Sequence, residues 1–359
     1  MALFQLRGMD ASTLVRAWRA GRRAVPVPTH VFLCIADHFE PDWNAADRDT
    51  QFSRIDRWVN GFPVLANESG DSRGRPPQHT FFYPIETYDP VYVDRLMPLI
   101  RDGYGDVEVH LHHDNDTAES LRERLLRSVQ QLHDRHGLFS RDEKGMLRYG
   151  FIHGNWALDN SHPDGCWCGV NNELTVLMQT GCYADFTMPA APHAAQTRTI
   201  NQVYYAVDDP QRPKSHDTGV QAQVGCTPPA DSLLMIQGPL LLSHSNRGWR
   251  PSIENGNLIP TQPPDPSRLD DWLRAGVGVS GQSDWVFIKL HTHGAKPGNT
   301  DMLLGESMMR FHEALRSTAD RRGFKYFYVT AKEMAQLVHQ AERRFESPDF
   351  NALDWPAFE

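Results

Sequence analysis

The stretch Asp106–Thr117, DVEVHLHHDNDT, decides the fold. Val107, Val109 and Leu111 alternate with Glu108, His110 and His112, and a period of two sends the two sets to opposite faces of a strand. The strand runs straight into His113, Asp114, Asn115 and Asp116, with no apolar residue among them. Thr117 and Glu119 then open a helix, TAESLRERLLRSVQQLHDRHG, in which Leu121, Leu125 and Val129 recur at helical spacing. Three imidazoles and two carboxylates thus crowd one strand-to-helix turn. That is the donor density a divalent metal site needs. The bland alternative is a solvated loop with capping Asp and Thr side chains.

Working outward, the chain repeats this pattern of apolar strand, polar cluster, then helix or long loop. The strand in HVFLCIADHFEPDW is followed at once by Asp37, His38 and Glu40. HTFFYPIE is a second strand, and RYGFIHGNWALDN a fourth that ends in His153, Asn155 and Trp156. CYADFTM carries Asp185, Leu233–Gln237 form a sixth strand, and DWVFIKLHTHG ends in His291 and His293. Helix, strand and helix close the chain as GESMMRFHEALRSTADRRG, FKYFYVTA and KEMAQLVHQAERRFE. Strands alternating with helices predict a parallel sheet, and this number of units predicts a distorted seven- to eight-stranded (β/α) barrel of the α/β class. Chemistry in such barrels sits at the C-terminal strand ends, where the polar clusters fall. The expected organisation is an N-terminal amphipathic helix and linker over 1–28, a single catalytic barrel over 29–345 and a tail over 346–359. Within the barrel, Pro189–Thr227 reads as a long loop with one short strand, NQVYYAV.

Bulk properties narrow the function. The 359 residues carry a net charge of −9, with Lys and Arg scattered, so neither a nucleic-acid groove nor an anionic membrane surface is an expected partner. No apolar run approaches about 18 residues, which predicts no integral membrane segment. The N-terminus lacks a continuous apolar core and a small-residue cleavage site, so a cytoplasmic location is expected. Five cysteines, an odd number, argue against a disulfide framework. Cys166 and Cys168 flank Trp167 without a second pair at zinc-finger spacing and are expected to be structural. His216 and His244, in loops, are expected at the surface.

With these strand ends in hand, the chain resembles the polysaccharide deacetylase superfamily, metal-dependent carbohydrate esterases built on a seven-stranded (β/α) barrel. The resemblance rests on the order of motifs over about residues 30–335. Asp37-His38 stands where that family has two adjacent acids, which implies Asp37 as general base and His38 as metal ligand. His112 stands at the family's strand-end His, and Asp116 at the position four residues on. Phe287-Ile288-Lys289-Leu290-His291 stands at the last motif, which implies His291 as general acid. The family's Arg-x-Pro-Tyr has no match, and His153-Gly154-Asn155-Trp156 occupies that strand end. The implied ligands are therefore His38, His112 and Asp116. The implied cofactor is a divalent metal, zinc foremost with cobalt or nickel as alternatives, and the implied substrate an N- or O-acylated sugar.

In that mechanism the metal activates water and polarises the acyl carbon, Asp37 takes the proton and His291 protonates the leaving group. His153, Asn155, Trp156, Asp185 and His293 are the expected substrate contacts, with Trp156 a platform for a sugar ring and Asp185 an orienting carboxylate. His110 lies one pleat deeper than His112 on the same face, and His113 beyond the strand end; either becomes a ligand if the register differs. Three other readings compete. A glycoside hydrolase would pair Asp37 with Asp185. A metal-dependent amidase or phosphoesterase would use the H-x-H. A non-catalytic carbohydrate-binding protein would need neither.

Overall fold

In HVFLCIADH the run Val31–Ala36 is apolar without a break, the composition of a strand covered on both faces, and that is what forms. The computed structural model describes residues 5–6, 9–243 and 252–353. Nine strands of one sheet matter here: β1 (His30–His38), β2 (His79–Pro84), β3 (Gly105–Leu111), β4 (Leu147–His153), β5 (Cys182–Asp185), β6 (Val203–Val207), β7 (Ser232–Ile236), β8 (Trp285–Thr292) and β9 (Lys325–Tyr328). Their order is β6-β7-β5-β4-β3-β2-β1-β8, with β9 also on β1. Every pair among β1 to β5, β7, β8 and β9 is parallel, and β6 runs antiparallel to β7. The fold is thus α/β with a large, mostly parallel sheet.

Strand β1 has three partners. Trp285–Thr292 run along one edge in register with His30–Asp37. On the other edge Lys325–Tyr328 pair with its first half and Thr80–Phe82 with its end. Alternation then sorts its side chains. Val31, Leu33 and Ile35 join the core that holds Trp58 and Phe62 of the helix Arg48–Ala66. Phe32, Cys34 and Ala36 join the opposite core with Phe82, Ile152, Tyr183 and Phe287. That second core also takes Met334, Ala335, Leu337, Val338 and Ala341 of the helix Ala331–Glu342, which buries polar Gln336, His339 and Gln340 as well.

The expected ring of strands is not closed by strand pairing among the described residues. Instead the outer edge of β8 is covered by loop backbone: Phe287 donates to Val277, His291 to Gly256, and Leu258 to His291. Lys289 reaches across from β8 and donates from Nζ to the carbonyls of Phe186 and Met188, at 2.6 and 2.7 Å. The sheet therefore curls until β8 faces the segment beyond β5. Burial holds the Lys289 ammonium down at about 8. Because the ladders are in register, the ends of β1, β3, β4 and β8 emerge together on one rim.

The helix Glu306–Arg322 buries His312 against β9, where Nδ1 lies 2.7 Å from the Tyr328 hydroxyl. Burial pushes this imidazole down to about 3, against the ordinary 6.5. Between those pH values the unfolded chain binds a proton that the folded chain does not, so stability falls as pH drops through that window. His312→Gln, which keeps a polar partner for Tyr328, is expected to flatten the fall by about one proton, or about 1.4 kcal/mol per pH unit. Urea midpoints of parent and variant between pH 6.5 and 4 check this; parallel curves would refute it.

Candidate metal centre at the strand ends

The rim gathers three donors into one cluster: Glu40 just past β1, and His110 and His112 at the end of β3. Period two explains their meeting, since His38 and Glu40 share a face as His110 and His112 do. Glu40 Oε1 lies 3.6 Å from His110 Nε2 and 3.2 Å from His112 Nε2. His110 Nδ1 sits 2.9 Å from the Ile152 carbonyl, which takes its proton and leaves Nε2 with a lone pair. His112 Nδ1 sits 2.6 Å from Glu86 Oε1, which turns Nε2 towards Glu40. Glu40 Oε2 and His110 Nε2 are buried and have no hydrogen-bond partner. Imidazoles tied at Nδ1 and aimed by Nε2 at a carboxylate are built as metal ligands are. The donor set fits a divalent cation.

The two carboxylates favour positive charge between them, which a proton on His112 supplies until a cation displaces it. Burial opposes charging His112, but the Glu40 and Glu86 carboxylates outweigh it and push the imidazole up to about 10. Burial would raise Glu40, and the facing imidazoles of His110 and His112 overcome this to hold it well below the usual carboxylate range. Around the cluster stand His38, whose ring lies 4.8 Å from that of His110, and His293, stacked on His38 at 4.7 Å. His293 Nε2 comes to 4.0 Å from Glu40 Oε2. Burial, then the neighbouring His293, His110 and His291, keeps His38 well below the ordinary imidazole range. A cleft of about 190 Å³ opens beside the cluster, walled by Asp42, Trp43, Asn44, Pro84 and Glu86 together with Glu40 and His112.

The expected ligand set is not brought together. His38 and His112 reach the cluster, but Asp116 turns to His113, at 3.3 Å, and to Arg124, at 3.5 Å. The turn after Leu111 carries it to the other side of the strand end, and Glu40 stands where Asp116 was expected. His113 likewise leaves the cleft and meets Glu173 at 3.0 Å. Asp37 is also misplaced as a base. It follows Val31, Leu33 and Ile35 to the helix-covered face, where its oxygens accept from His79 Nε2 and the backbone N–H of Gly294.

The remaining expected contacts divide in the same way. Trp156 approaches His38 and His293, each at 6.4 Å between ring centroids, and His193 at 5.4 Å. Asn155 is exposed beside it. His153 is buried beside His113 and Glu173, away from the cleft. Asp185 is buried, and Thr187 donates to both its oxygens from N–H and hydroxyl; burial pushes it up to about 7. His291 faces inward with Nδ1 unpartnered. His216 is buried rather than at the surface, and its carbonyl accepts from the Tyr204 hydroxyl. His244 lies outside the described residues. The sequence reading gave no role to Glu40, Glu86, Trp43, His193 or Glu173. Glu40 alone carried a signal, its parity with His38.

Gly294 is fixed by contact. A Cβ there would lie 2.0 Å from Asp37 Oδ2 and 2.7 Å from Trp58 Cζ2, and the Trp58 indole N–H donates to the Gly294 carbonyl at 3.0 Å. Gly294→Ala is expected to cost about 1–3 kcal/mol of stability, the range for overpacking, read as a lowered denaturant midpoint. An unchanged midpoint would remove Asp37 from this structural role. No protein-family model matches the chain and no curated protein matches it, so the chemistry of the site rests on its own residues.

Proposed function

We propose that this chain is a metal-dependent hydrolase that removes an acyl group from a sugar, on a curled sheet that forms a distorted barrel of the polysaccharide deacetylase type. The observation that carries the proposal is the convergence of His110 Nε2 and His112 Nε2 on the Glu40 carboxylate, each imidazole fixed from behind at Nδ1. Glu40, His110 and His112 would hold the cation, zinc foremost, since imidazole and carboxylate donors suit it. The chemistry such a cation supplies is polarisation of an acyl carbonyl and acidification of a water.

The chain's own groups do the rest. His38 and His293, paired face to face beside the cluster, take the proton from the attacking water and return one to the departing amine or alcohol. His291, one pleat back on β8, completes that row of imidazoles. Aromatic rings support a saccharide. Trp43 is 42% exposed on one wall, and Trp167, 37% exposed, continues from Trp156 through His193 on the other. Flat exposed rings with polar neighbours are what sugar faces stack on. The paired-carboxylate glycosidase reading has less support, because Asp37 and Asp185 are both buried with their oxygens engaged. The described residues include no helix long and apolar enough to cross a membrane.

Two measurements test this reading. Glu40→Gln and His110→Ala are expected to lose one equivalent of metal relative to the parent by elemental analysis, and with it acetate release from an N-acetylated oligosaccharide. Unchanged metal content in both would overturn the ligand assignment, and reducing-sugar release without acetate would favour the glycosidase. Glu86→Ala, which removes the acceptor of both His112 Nδ1 and the His112 backbone N–H, is expected to weaken metal binding about 10–100-fold, read by competition with a chelator. Parent-like affinity would show that Glu86 orients nothing.

A further inference from the structure

A second group of donors lies on the far side of the β3 end, and none of its members lines the cleft. His113 follows β3, His153 ends β4, Cys168 lies in the loop between β4 and the helix Glu173–Gln179, and Glu173 opens that helix. All four are buried, and their ligand atoms lie within 4.8 Å of one another. We propose that His113, His153, Cys168 and Glu173 form a second, closed site for a divalent cation of the zinc class, which pins the 154–172 loop to the strand ends.

Distances already approach those of a tetrahedral shell. Glu173 Oε1 lies 3.0 Å from His113 Nε2 and 3.6 Å from His153 Nε2, and Cys168 Sγ lies 3.4 Å from Glu173 Oε2. Ligand-to-ligand edges around zinc run about 3.3–3.8 Å for bonds of about 2.0–2.3 Å. Closing the widest pair from within 4.8 Å takes a shift of about 1 Å.

Both imidazoles are aimed as ligands. His113 Nδ1 faces Asp116 Oδ2 at 3.3 Å, and His153 Nδ1 faces the Gly154 carbonyl, so the two Nε2 atoms point into the group. His153 is fully buried, and its Nε2 has no hydrogen-bond partner. The Cys168 sulfur accepts backbone N–H groups from Asn160, at 3.3 Å, and Val170, at 3.4 Å, the environment a bound thiolate uses. A thiolate and a carboxylate with two neutral imidazoles carry two negative charges, which a divalent cation neutralises.

The loop is seated for this. Asp116 N–H donates to the Cys168 carbonyl at 2.9 Å, and Trp167 N–H to Asp114 Oδ1 at 2.6 Å. Gly169 has φ +96°, and a Cβ there would lie 2.8 Å from Asp116 N. Only a glycine lets the two backbones approach so closely. A buried sulfur with no access to the cleft is no nucleophile. Four donors without an open position make a structural centre.

The test uses the full chain reconstituted with cobalt(II), whose bond to a thiolate gives a sulfur-to-cobalt charge-transfer absorption. The band is expected in the parent, in Cys166→Ser and in Glu40→Gln, and absent from Cys168→Ser. Because the Glu40 cluster contains no sulfur, its failure and the failure of this site are read separately. No band in the parent, or a band that survives Cys168→Ser, overturns the proposal. Should Cys168→Ser not fold, X-ray absorption of the zinc-loaded parent decides. A sulfur shell at about 2.3 Å supports the site, and nitrogen and oxygen alone refute it.

Discussion

The parallel pairing of β1 with strands on both edges is the constraint on which the rest of the molecule depends. It fixes which face each residue of HVFLCIADHFE meets, and that choice cannot slip by one residue without moving Val31, Leu33 and Ile35 out of the core of Trp58 and into that of Phe287. Asp37 is thereby committed to the helix-covered side, against His79 and Gly294. His38 and Glu40 are committed to the rim. The same alternation on β3 delivers His110 and His112 to Glu40. The candidate centre is thus a product of register more than of any loop.

Burying so many imidazoles has a cost that hydrogen bonds to Nδ1 offset. A neutral imidazole in a dry site needs its one N–H satisfied, and three of the four that face a candidate cation find an acceptor at Nδ1, in Ile152, Glu86 and Gly154, while His113 Nδ1 faces Asp116 at 3.3 Å. Satisfying that proton sets the tautomer and turns the lone pair inward. Solvation, tautomer and ligand geometry are therefore one problem with one solution. This is why backbone carbonyls at the rim matter as much as the donors themselves.

Much of this architecture was legible in the sequence. Apolar runs located β1 to β9 to within a few residues, and the strand ends named most of the rim. The residues that failed lie at the strand ends or just past them. Asp116 looked like a ligand by its distance along the chain, yet a turn reverses direction within that distance and sends it to Arg124. Asp37 looked like a base by its neighbour, yet parity separates adjacent residues. Glu86 and Glu173 gave no signal, because each enters through a short helical turn whose direction depends on packing. The pair Cys166 and Cys168 lacked a second pair, and the partners of Cys168 turn out to be imidazoles and a carboxylate from three other segments.

His112 and His113 are neighbours in sequence and serve opposite sides of one strand end. His112 faces Glu40 and the cleft, and His113 faces Glu173 and the interior. A single peptide unit therefore joins the two clusters. Any force that orders the Glu173 side, whether a cation or the hydrogen bonds alone, also limits how His112 can turn towards Glu40. The loop carrying Trp156 is held by the same side, since Glu173 Oε2 accepts from Asp159 N–H at 2.6 Å, three residues on. The ring that flanks His38 and the imidazole that meets Glu40 are then positioned from one buried carboxylate. A closed cluster behind an open one thus keeps the donors of the cleft in place.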